Sequence, residues 1–176
     1  MENVKNQQVK TTIRSGIQSV LLFLLAGAIA GNAVPLRAEG TNAEKVKEAL
    51  NVMKDEAAKL GAPKAEGSSL FFGTTRMNGN YALVDSLKTR FNCTATFFSR
   101  KGTDFLRVST NVLNDGNRAV GTTLDPKGPA YAAISKGEPF YGIVDILGKK
   151  YEAGYEPVKN AAGQTVGVYY VGFLLE

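Results

Sequence analysis

Read for spacing alone, the chain has helical periodicity in its first half and alternation in its second. Val46, Leu50, Met53, Ala57 and Leu60 recur at helical steps, which stacks them along one face of a helix. Thr41-Asn42-Ala43-Glu44 stands just ahead of that stripe and fits a capping box, in which a hydroxyl and a carboxylate satisfy each other's backbone amides. A helix over about residues 42–60 is predicted, closed by Gly61, a residue suited to the turn that ends a helix. Residues 62–80 carry Pro63, Gly67, Gly73 and Gly79 and read as a long irregular connection with one short strand at 69–73. Helical spacing returns over 81–91 through Leu83, Val84, Leu87 and Phe91.

The period then changes to two. Residues 94–99 are rich in β-branched and aromatic side chains, and Arg100-Lys101-Gly102-Thr103 supplies a turn. Over 104–112, strict alternation puts Leu106, Val108, Thr110 and Val112 on one face, and Phe105, Arg107, Ser109 and Asn111 on the other. The first face reads as core; the second displays a cation and a hydroxyl in mid-strand. Asn114-Asp115-Gly116-Asn117 is a hairpin signal leading to a third strand over 118–123. Asp125-Pro126-Lys127-Gly128-Pro129 breaks the sheet, and Pro129 opens a short helix ending near Gly137. Strands over 139–146, 150–158 and 165–174 follow, joined by Leu147-Gly148-Lys149 and Asn160-Ala161-Ala162-Gly163. The pattern predicts an α+β architecture: an antiparallel sheet of about five to six strands with a long N-terminal helix and short connecting helices.

Residues 1–38 read differently. Lys5, Lys10 and Arg14 precede an apolar run over 20–31, with small residues after it, the layout of an export signal. Cleavage after Ala30, Ala33 or Ala38 fits equally, and retention as an N-terminal anchor is the alternative. Both readings export a domain over 39–176, whose sheet portion spans about 62–174 and which is placed in the periplasm or otherwise outside the cytoplasm, free or tethered to the inner membrane. The net charge of +5 also belongs mostly to this segment, which holds +3 of it. The remaining +2 is too small and scattered for nucleic-acid binding.

Composition removes further chemistry. With 44% hydrophobic and 21% charged residues the chain is an ordinary globular one. The lack of histidine and the single Cys93 leave no His-based triad, no Cys/His zinc site, no attached c-type haem and no disulfide within the chain. Cys93 reads as a small buried hydrophobe. The 19 glycines form neither a GxxxxGK[ST] nor a GxGxxG motif, so no nucleotide loop is predicted. Glu152 and Glu156 share a strand face as ordinary solvated charges, and no nucleophile stands beside a base. No enzymatic activity, metal or cofactor is expected.

Arg107 is the leading candidate for a binding site, because a guanidinium offers two parallel donors to a carboxylate; a solvent-exposed strand face is the other reading. Ser109 points the same way by alternation. Arg118, past the hairpin, is either a ligand contact or a solvated charge. Tyr151, Ala153 and Tyr155 share a strand face that suits a wall combining apolar packing with hydroxyls, and Tyr141 can join them from the neighbouring strand. Lys136 at the end of the short helix is explained by the helix dipole.

The segments TATFF, DFLRVSTNV, NDGNRAVGTTLDPKGPAYAAISKGEPFYG and YEAGYEPVKNAAGQTVGVYYVG occur in order. Together they resemble the extracytoplasmic single Cache domains of bacterial sensors, of the type in which Cache 3 and Cache 2 patterns blend. The likeness covers about residues 62–172. The resemblance implies a PAS-like sheet, a long N-terminal helix and a pocket for a short organic acid, an amino acid or a related metabolite, in the service of signal transduction such as chemotaxis. Receptors of this kind continue into a second membrane span, so a chain ending at Glu176 is expected to lack its own transmission module. An alternative keeps the fold without a ligand and engages a membrane receptor, or a second copy, through the apolar stripe of the 42–60 helix.

Overall fold

The computed structural model describes residues 40–175, so the predicted signal or anchor over 1–38 lies outside the described residues. The first helix, α1 (Asn42–Ala58), starts on the capping box the sequence spells: Glu44 N donates to Thr41 Oγ1 and Thr41 N donates to Glu44 Oε2. Val46, Ala49, Leu50, Met53 and Ala57 are buried along its inner face. The apolar stripe is therefore spent on packing against the sheet, and it offers no free face for a receptor or a helical dimer seam. Leu60 falls past the helix end and is exposed. No helix among the described residues is long and apolar enough to cross a membrane.

The connection predicted as irregular is a small antiparallel sheet of β1 (Pro63–Glu66), β2 (Ser69–Phe72) and β3 (Thr75–Arg76). Its turns hide its strands from a propensity reading, because each strand is only two to four residues long. Helix α2 (Ala82–Phe91) follows and ends on Asn92 in the left-handed conformation.

The main sheet has five antiparallel strands in the order β5-β4-β10-β9-β8. These are β4 (Thr94–Lys101), β5 (Asp104–Thr110), β8 (Phe140–Ile146), β9 (Lys149–Lys159) and β10 (Thr165–Leu174). Between them stand a minimal hairpin, β6 (Leu113–Asn114) with β7 (Asn117–Arg118), and helix α3 (Pro129–Ser135), which begins on Pro129. The predicted third strand over 118–123 is not a sheet strand. Its backbone turns after Arg118 and returns along the outer edge of β5, where Arg107 N donates to Thr122 O and Leu124 N donates to Phe105 O.

Each face of the main sheet has its own core. One gathers Val46, Leu50, Met53, Val84, Leu87, Phe97, Val108 and Tyr169 under α1 and α2. The other gathers Phe98, Phe105, Leu124, Ala130, Ile134, Tyr155 and Tyr170 under α3 and the segment before it. The alternation predicted for β5 fails midway. Phe97 faces Ser109 and Phe98 faces Arg107, so Val108 is an extra residue that breaks the register. A bulge of this kind sends the residues on either side of it to opposite faces.

Candidate functional site

That bulge isolates Arg107. Its side chain lies on the α3 face, 5.2 Å above the Phe98 ring, and the residue is only 6% exposed. Nη1 donates to Thr122 Oγ1 at 2.7 Å, and Thr122 Oγ1 in turn donates to Ala119 O at 2.8 Å. The returning segment also takes both backbone groups of Arg107, since Gly121 N donates to Arg107 O. Nε is buried with no acceptor. No carboxylate among the described residues pairs with this guanidinium. Burial weighs against its charged form, and the neighbouring Tyr155 and Tyr170 act the other way.

Arg107 forms the deep end of a cavity of about 540 Å³ between β5, the 122–130 segment and β8. Tyr155 reaches the same cavity from β9. Burial pushes its hydroxyl well above the ordinary value, offset in part by the Arg107 guanidinium. It therefore stays protonated at neutral pH and is a hydrogen-bond donor. Leu124, Ala130, Val144 and Ile146 supply apolar walls. Asp125 and Asp145 line the cavity as well, but each closes a local turn: Asp125 Oδ1 accepts from Lys127 N and Asp145 Oδ1 from Gly148 N. The arrangement is a buried unpaired cation beside a neutral donor, walled by aliphatic groups. Such a site is complementary to a small anion with an apolar body.

The remaining candidates go elsewhere. Ser109 points to the opposite face, where its hydroxyl donates to Asn80 O at 2.6 Å and ties β5 to the start of α2. The bulge is the reason alternation misplaced it. Arg118 grips Asp85 of α2 with both terminal nitrogens at 2.8 Å, donates to Thr110 O, and stacks 4.2 Å from the Tyr81 ring. It is a bolt between the β6–β7 hairpin and α2. Tyr141 pairs with Gly154 on the α1 face, and its hydroxyl donates to Glu156 Oε1, which shares that carboxylate with Lys54. Tyr151 keeps the face of Ala153 and Tyr155, as the period of two predicted, but it borders a smaller neighbouring cavity of about 200 Å³ with Thr94 and Val112. Of the six predicted site residues, the structure brings together Arg107 and Tyr155. Thr122, Leu124 and Val144 were missed. The only trace of the first two was their place ahead of the Pro/Gly-rich break at 125–129.

A family profile described as Cache 3/Cache 2 fusion domain matches residues 35–176. Among solved structures, the chain is similar to the sensor domain of DcuS from E. coli, at 15% identity and a TM-score of 0.41 over 72% of this chain and 91% of that one. That similarity is too distant to carry an argument. No curated protein matches the chain.

Proposed function

The chain belongs to the Cache 3/Cache 2 fusion family of extracytoplasmic, ligand-binding sensor domains, and from that premise we propose that it senses a small organic anion, a carboxylate, held in the cavity of Arg107. The observation that carries this reading is the buried guanidinium without a carboxylate partner. An uncompensated charge in a protein interior is strongly unfavourable, and a bound anion relieves it. Arg107 Nε has no acceptor among the described residues, and a carboxylate accepts a guanidinium edge through two parallel hydrogen bonds. Tyr155 adds a neutral donor from β9. A periplasmic location, with residues 1–38 as signal or anchor, is part of the same proposal.

Isothermal titration of the protein against acetate, propionate, succinate, malate and glutamate tests it. We expect at least one carboxylate to bind, and Arg107→Ala to abolish that binding. Because Arg107 lies on the cavity floor and is tied to the returning segment, circular dichroism of the variant accompanies the titration. Undiminished affinity in a folded Arg107→Ala protein removes Arg107 from the site.

A further inference from the structure

Resting on the carboxylate reading of this cavity, we infer that the ligand is a monocarboxylate with an apolar body, and that the cavity rejects ligands with a second anionic group at their far end. The inference comes from how charge is distributed with depth. Arg107 is the one buried cation in the lining. Above it, apart from Tyr155, the buried part of the wall is aliphatic: Leu124, Ala130 and Ile146 are buried and Val144 is half-buried, while the Thr122 and Thr123 hydroxyls line its exposed part. The charged groups in the lining other than Arg107 are Asp125, Lys127 and Asp145, all exposed at the mouth. They sum to one negative charge, and the Asp145 carboxylate has Lys150 3.4 Å away as an exposed partner.

A second carboxylate six or so bonds from the first has two places to go. Against the wall it exchanges its hydration for only the neutral hydroxyls of Thr122, Thr123 and Tyr155, which do not replace the hydration of a carboxylate. At the mouth it meets two carboxylates and Lys127, with Lys150 already paired to Asp145 and no second guanidinium fork. An alkyl chain in the same position loses nothing by desolvation and gains burial. It also covers Ile143 and Leu147, aliphatic residues of the lining left 60% and 51% exposed. Their position at the mouth of a polar-floored cavity is accounted for by a ligand whose outer end is apolar.

Hexanoate and adipate separate the possibilities, because both have six carbons and differ in the second carboxylate. Titration calorimetry on the protein should show hexanoate binding at least about tenfold tighter than adipate. Affinity should rise from acetate to hexanoate by up to about fourfold per methylene. The double variant Asp125→Asn with Asp145→Asn keeps both turn acceptors and removes both negative charges at the mouth; it should narrow the gap by improving adipate more than hexanoate. Adipate binding as tightly as hexanoate overturns the inference and leaves the carboxylate reading intact. So does binding of succinate or malate with no response to hexanoate. If no carboxylate of either series binds, the reading itself fails and the inference fails with it.

Discussion

Arg107 shows how a residue can serve function against stability. Its guanidinium is buried among Phe98, Tyr155 and Tyr170, with one hydroxyl as a side-chain partner and Nε unsatisfied. A buried charge without compensation destabilises the fold that contains it, and apolar replacements of similar volume at such positions are often stabilising. We therefore expect Arg107→Met to raise the stability of the unliganded protein by about 1–2 kcal/mol while abolishing carboxylate binding. Urea unfolding of both proteins measures the first effect. A variant less stable than its parent means that the guanidinium holds the 119–124 segment in place rather than awaiting a ligand. Cys93 is the opposite case. It is buried, its thiol is pushed up to about 12 by burial, and it donates only to Leu87 O. It should not react with a thiol reagent at pH 8 in the native protein, and should react fully in urea; rapid native labelling would contradict its burial.

Among the elements, the end of α1 and the small sheet approach each other closely. Gly61 and Gly73 both have positive φ, at 120° and 57°, and their backbones cross so closely that a Cβ on Gly73 meets Leu60 O at 2.2 Å. Carbonyl oxygens of a packed chain cannot step aside as a flexible side chain does. Gly67, in the turn between β1 and β2, has a φ of 60° with nothing near its missing Cβ. Gly67→Ala should therefore cost about 1 kcal/mol, the strain of a left-handed alanine alone. Gly73→Ala should cost at least about 3 kcal/mol, because strain and overlap add. Chemical denaturation midpoints of the two variants decide it, and equal costs would mean the two backbones separate without penalty.

For the molecule as a whole, the acid–base behaviour follows from which groups are buried. Cys93, Tyr155 and Tyr170 are all held above their ordinary values by burial. In the alkaline range the unfolded chain loses these protons first, so the folded state binds more protons than the unfolded one. Stability then falls as pH rises, beginning near 9.0, the ordinary value of a thiol. The melting temperature should be flat across the neutral range as far as these groups are concerned and drop steeply above about pH 9. A melting temperature that holds to pH 11 would mean that water reaches these groups in the folded state.

The hydrophobic pattern by itself determined the helices and the long strands, because burial of one face needs only a period, and the period is local. Hence α1 begins on its capping box, β10 spans Thr165–Leu174 as predicted, and Tyr151 and Tyr155 share a face. The family segments carried the PAS-like fold class by their resemblance and not by their spacing. Tertiary structure decided what local rules cannot express. One extra residue, Val108, separated Arg107 from Ser109, and a bulge depends on how β4 pairs with β5. Arg118 and Tyr141 carry the right chemistry for a ligand, but long-range partners, Asp85 and Glu156, had claimed them. Arg107 stands out because no such partner exists among the described residues. The cavity itself is lined by Thr122, Leu124 and Val144, all distant from Arg107 in the chain: the first two reach it because the segment after β7 turns back along β5, and Val144 comes from β8.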